Sequence, residues 1–190
     1  MARVLLWVGL ILSLALLPAS DVGAGTTNYD LPLPPRIALA TPDARSFYAE
    51  FRARRETGGF GHAYVILGMV DSSGRLQQTV VAGFMPRGMR DDFFSQFGVP
   101  VAGVVGVVRT DLVRRPDDVR LWIAISKANY YRIVSRILEM RRTWTTYELL
   151  LFNCNTFVSE IANTAGLRTP ILVAQFPIAY VSELRSLNSP

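Results

Sequence analysis

The sequence predicts an α+β fold: an antiparallel sheet covered by helices. Three observations lead there. Short apolar runs bounded by turn residues recur between His62 and Ile125, the pattern of strands. Two later segments, Ser126 to Arg142 and Asn153 to Gly166, carry apolar residues at helical spacing. The order is helix, four strands, two helices, so strands and helices are grouped and not alternated, which favours an antiparallel sheet. With 190 residues, half of them hydrophobic, the chain can bury one sizeable core.

Taken in order, residues Thr26 to Pro35 are polar and proline-rich, and residues 25–40 are expected to form an extended lead-in to a single domain over 41–190. Thr41-Pro42-Asp43 offers an N-cap, a proline at the first helical position and an early acid, so a helix is expected to about Arg55. Ala44, Phe47, Tyr48 and Phe51 would form its apolar stripe, with Arg45, Arg52, Arg54 and Arg55 mostly on a solvated face. After Gly58-Gly59-Phe60-Gly61, the run His62 to Val70 reads as a strand. Asp71-Ser72-Ser73-Gly74 is a tight turn, and Arg75 to Phe84 returns as the second strand of a hairpin.

Met85 to Pro100 is expected to be a loop or a short irregular region. Its Met85, Met89, Phe93, Phe94 and Phe97, with Phe84 before them, are read as packing under the sheet, and Asp91-Asp92 as a solvated pair. The run from Val101 to Thr110 is a nearly continuous apolar strand, and Val119 to Ile125 is another. Ser126 caps a helix to about Arg142, with Tyr130, Ile133, Val134, Ile137 and Leu138 as its buried stripe. Asn153 caps the next helix, whose apolar face is Phe157, Val158, Ile161 and Ala165 and whose end is marked by Gly166. A short helix is expected from Ala179 to Leu187.

The first 24 residues are set apart. Arg3 precedes an apolar run from Val4 to Leu17, Pro18 breaks it, and Val22-Gly23-Ala24 offers a cleavage site of small or apolar residues. Residues 1–24 are therefore expected to be a signal peptide, cut after Ala24 or, as second choice, after Ser20. The processed protein would be periplasmic or secreted; an uncleaved N-terminal membrane anchor is the alternative. Removal of Arg3 and Asp21 leaves the net charge of +5 unchanged.

Export makes Cys154 conspicuous, because it is the only cysteine and cannot pair within its own chain. It is a buried inert residue, a bridge between two chains, or a reactive thiol. Its place just after a capping asparagine puts it in the first turn of a helix, where backbone N–H groups and the positive helix end favour a thiolate. A cysteine nucleophile needs a base, and His62 is the only histidine. It opens a strand, where its ring can project at the end of the sheet.

A histidine-bearing strand, "GHAYVILG", followed later by a helix opening "NCNTFVSEIANTAGL", resembles the permuted papain-like fold of NlpC-type hydrolases, also used by lecithin:retinol acyltransferase-like proteins. In the permuted group the histidine strand precedes the cysteine helix, as it does here. The resemblance spans about His62 to Gly166. It implies Cys154 as nucleophile, His62 as base, and the Cys154 backbone N–H as an oxyanion donor. Such sites usually add a polar residue that orients the imidazole. Pairing Val70 with Arg75 puts His62 opposite Gly83, and Tyr64 and Thr79 then share its face; a slip of one residue brings in Gln78. Tyr64, Gln78, Thr79 and Asn153 are accordingly the supporting candidates.

The function expected from these residues is thiol-dependent hydrolysis of an amide bond, with cell-wall peptides as substrate. Two alternatives stand beside it: a lipid-ester or acyl-transfer enzyme on the same fold, and a binding module with little catalysis. No cofactor is expected, and one Cys with one His does not make a multi-ligand metal site. Arg132, Arg136, Arg141 and Arg142 read as a solvated helix face. The basic charge suits an anionic envelope polymer or peptide, with membrane contact as the alternative; an exported protein has little access to nucleic acid.

Overall fold

The structure is a computed structural model that describes residues 36–37, 46–55, 59–112 and 119–189. The expected signal peptide, most of the lead-in and the Thr41-Pro42-Asp43 cap lie outside the described residues. The elements in chain order are β1 (Arg36–Ile37), β2 (Ser46–Arg54), β3 (His62–Val70), β4 (Leu76–Pro86), α1 (Met89–Ser95), β5 (Val101–Gly106), a 3-10 turn (Arg109–Leu112), β6 (Val119–Ile125), α2 (Lys127–Thr143), β7 (Thr146–Tyr147), α3 (Cys154–Thr164) and α4 (Pro177–Asn188). The fold is α+β. Its antiparallel sheet has the order β6-β2-β3-β4-β5-β7, and β1 pairs with Val80 and Val81 of β4, just short of the stretch that pairs with β5.

One element departs from expectation. The helix expected to end near Arg55 is instead β2, a strand between β3 and β6. Phe47 and Phe51 fit a helical stripe, but Phe47, Ala49, Phe51 and Ala53 also alternate, and that period matches two neighbouring strands whose backbone groups need partners. The arginines read as a solvated face are affected too: Arg52 and Arg54 are buried at 4% and 3% exposure. Met85 to Pro100, expected as a loop or short irregular region, contains α1, and Met89, Phe93, Phe94 and Phe97, read as packing under the sheet, are exposed.

The core lies on one face of the sheet. Phe47, Phe51, Val65, Leu67, Val80 and Phe84 meet Tyr130, Ile133, Ile137 and Met140 of α2, Phe157, Val158 and Ile161 of α3, and Tyr180, Val181 and Leu184 of α4. Ser126 caps α2 as expected, its side chain accepting from the Asn129 N–H at 3.1 Å. Of the expected α2 stripe, Leu138 is exposed and Met140 takes its place inside. The opposite face of the sheet carries Tyr48, Tyr64, Ile66, Val81 and Val107, together with a buried polar strip of Glu50, Arg52, Arg54 and His62.

The hairpin register also differs from the simple one. Val70 pairs with Leu76 and Tyr64 with Gly83, and a bulge between Leu67 and Gly68 leaves Thr79 as the extra residue of β4. Thr79 turns inward there. Its hydroxyl donates to the Leu67 carbonyl at 3.2 Å and lies 2.7 Å from the Tyr130 hydroxyl.

Candidate functional site

Asn153 does at α3 what the sequence leads one to expect. Its side-chain oxygen accepts from the N–H groups of Asn155 (2.8 Å) and Thr156 (3.2 Å), and the Thr156 hydroxyl accepts from the Asn153 N–H (3.1 Å), which makes a reciprocal capping box. Cys154 is therefore the first residue of the helix. The two asparagines that flank it have a second task. Asn153 Nδ2 donates to the carbonyls of Leu149 (2.6 Å) and Val173 (3.3 Å), and Asn155 Nδ2 donates to Val173 (3.0 Å) and Gln175 (2.8 Å). They tie the segment before α4 to the start of α3. Asn155 Oδ1 is buried without a hydrogen-bond partner among the described residues.

That segment is one wall of a pocket of about 360 Å³. Its polar lining residues are Cys154, Asn153, Asn155, Tyr147 and Gln175. Phe60, Leu149, Leu150, Ala174, Phe176, Pro177 and Ala179 make the rest of the lining mostly apolar. Phe60, before β3, and Phe176, before α4, stack at 5.7 Å between ring centres and are both exposed.

Cys154 is 4% exposed. Burial pushes its thiol up to about 11, against the pull of the backbone N–H groups of Ala63, Asn155 and Cys154 and of the Tyr147 hydroxyl. The helix-terminal position is thus as expected, but the thiolate it was expected to favour is not: loss of water outweighs four donors. Tyr147 is held in its phenol form, first by burial and then by the negative charges of an ionised Cys154 and of Asp92, so it acts as a donor to the sulfur and not as a base.

His62 is elsewhere. Side chains alternate along β3, so Ala63 faces the helices and Cys154 while His62 and Tyr64 face the other side. The His62 and Tyr64 rings stack at 5.8 Å between centres, and a Cβ added to Gly83 would fall 2.5 Å from His62 Nε2. The His62 ring lies over Gly83, on the face of β3 opposite the one that Ala63 turns toward the helices. The structure therefore does not bring the two expected catalytic residues together. Among the supporting candidates, Asn153 adjoins the thiol and Tyr64 adjoins His62. Gln78 is exposed on the hairpin, and Thr79 is engaged by Tyr130.

His62 does have a carboxylate neighbour that the sequence reading missed. Asp111, fully buried in the 3-10 turn, has its Oδ2 3.7 Å from His62 Nε2, accepts from the Val108 N–H at 3.2 Å and pairs through Oδ1 with Arg54 Nε at 3.1 Å. The signal for it in the sequence is an acid just after a buried apolar strand, in "VVRTDL". Among the described residues no group of three or more His, Cys, Asp or Glu is arranged to hold a metal ion.

Comparison with protein-family models, with curated proteins and with solved structures finds no match to this chain.

Proposed function

We propose that this is an exported protein that binds a slender apolar ligand, an acyl chain or a lipid-derived group, in the pocket at Cys154, on a permuted papain-like frame with little hydrolytic activity. The observation that carries the reading is the pocket itself: a mostly apolar cavity lined by the buried Cys154, with the His62 side chain on the opposite face of β3. At about 360 Å³ the pocket falls at the small end of the range for ligand sites. Its walls reward burial of apolar surface. The N-terminal apolar run supports export, and the order of histidine strand before cysteine helix supports the papain-like relation.

A second reading is acyl transfer through Cys154. The donors around the sulfur favour it, since they would stabilise a thiolate or an oxyanion. In that reaction the sulfur attacks an ester carbonyl, a thioester forms, and the alcohol leaves with the thiol's proton. Hydrolysis of wall peptides ranks below both, because the pocket lining is mostly apolar.

The test is titration of the processed protein with a fluorescent long-chain fatty acid, beside an Ala174→Trp variant that fills the pocket. Saturable binding that the filled variant loses is the expected result. Equal binding by both, or cysteine-dependent release of peptides from peptidoglycan fragments, would overturn the proposal.

A further inference from the structure

Helix α1 is built inside out. It packs on β4 and β5, yet its only buried residue is the polar Ser95, while Met89, Phe93 and Phe94 are exposed and Phe97, just beyond its end, is 70% exposed. A surface helix ordinarily turns its apolar stripe to the core. These rings are also not scattered: Phe93 meets Phe94 at 5.6 Å and Phe97 at 5.2 Å, both edge to face, so they form one patch. Its charges are sorted as well. Arg87 and Arg90 are exposed, with the Arg90 guanidinium 5.7 Å above the Phe94 ring, while Asp91 and Asp92 are half-buried. α1 packs on β5, whose Val101 pairs with Tyr147 of β7, and Tyr147 lines the Cys154 pocket, so α1 lies one strand away from that site.

We propose that α1 docks this protein on the surface of an anionic phospholipid bilayer. Exposed phenylalanines that enter the interface, flanked by arginines that meet phosphate head groups, are the two components of interfacial binding, and the chain's net charge of +5 adds to the second. The position one strand from the pocket gives the docking a use, since it would hold the site near a source of acyl chains. The proposal deepens the lipid-binding reading by naming the source of the ligand, but the contact itself does not involve the pocket.

The experiment is co-sedimentation of the processed protein, freed of its N-terminal apolar run, with vesicles of phosphatidylcholine alone and with added phosphatidylglycerol. Wild type is expected to bind the anionic vesicles and to release as salt rises. Phe93→Ser with Phe97→Ser should weaken binding about tenfold or more. Arg87→Gln with Arg90→Gln should remove the preference for anionic lipid. Failure of wild type to bind, or unchanged binding by the phenylalanine variant, would overturn the proposal, as would self-association abolished by that variant in the absence of vesicles. Ala174→Trp separates the two proposals: it should keep vesicle binding while losing the soluble fatty-acid probe.

Discussion

Asn153 and Asn155 donate to the same acceptor, the carbonyl of Val173, one from each side of Cys154. A thiol at the start of α3 is thereby fixed to the wall of its own pocket. Asn153→Ala removes the cap and two donors, and should cost about 2–3 kcal/mol. Asn155→Ala takes the donor from the Gln175 carbonyl and one of two donors from Val173 but also deletes the unpaired Oδ1, and should cost about 1–2 kcal/mol. Urea unfolding checks both. The opposite order of the two losses would mean that the wall, and not the cap, dominates.

The Cys154 thiol should make the protein less stable in alkali. Its folded value of about 11 exceeds the ordinary 9.0. Between those pH values the unfolded chain has lost the proton that the folded chain keeps, so stability is complete below about pH 9 and falls toward pH 11. The loss should approach about 2–3 kcal/mol, because a tenfold change in proton affinity is worth about 1.4 kcal/mol. Buried tyrosines act in the same direction, so the quantity to measure is the difference between wild type and Cys154→Ser in urea melts at pH 8 and pH 10.5. An unchanged difference would remove the basis for a protonated thiol.

Alkylation gives a kinetic counterpart. From thiolate fraction alone, Cys154 should react at pH 8 about a hundredfold more slowly than a free cysteine. His62→Ala should leave that rate unaltered, because the ring is on the other face. A several-fold slowing in the histidine variant would show that the two residues communicate and would restore the thiol–imidazole pair.

Asp111 should matter to folding and not to the thiol. Asp111→Asn breaks a buried pair with Arg54 and disturbs the environment of His62, at an expected cost of about 3–5 kcal/mol. Calorimetric melting measures the loss, and Cys154 alkylation below the transition should match wild type.

Gly83→Ala tests the placement of the imidazole. The new methyl would stand 2.5 Å from His62 Nε2 and 3.2 Å from Tyr64 Cβ. Both neighbours are buried, so relief requires displacement of the ring, and a loss of about 1–3 kcal/mol is expected. In a His62→Ala background the same substitution should cost much less. Equal costs in the two backgrounds would place the ring away from Gly83.

The sequence by itself determined the strands at His62 and Val119, the helix capped by Ser126, and the helix start that puts Cys154 after Asn153. These are local matters: a capping side chain, a turn, an apolar period within one segment. Two decisions belonged to the tertiary structure. The residues from Ser46 to Arg54 satisfy both a helical stripe and a strand alternation, and pairing with β3 on one side and β6 on the other chose the strand. The face of His62 was not legible either. β3 is apolar on both sides, with Val65 and Leu67 toward the helices and Tyr64 and Ile66 away from them, so its pattern does not say which face the helices will cover. Packing of α3 against Ala63 settled that, and in doing so it set the imidazole beside Asp111 and left the thiol in an apolar pocket.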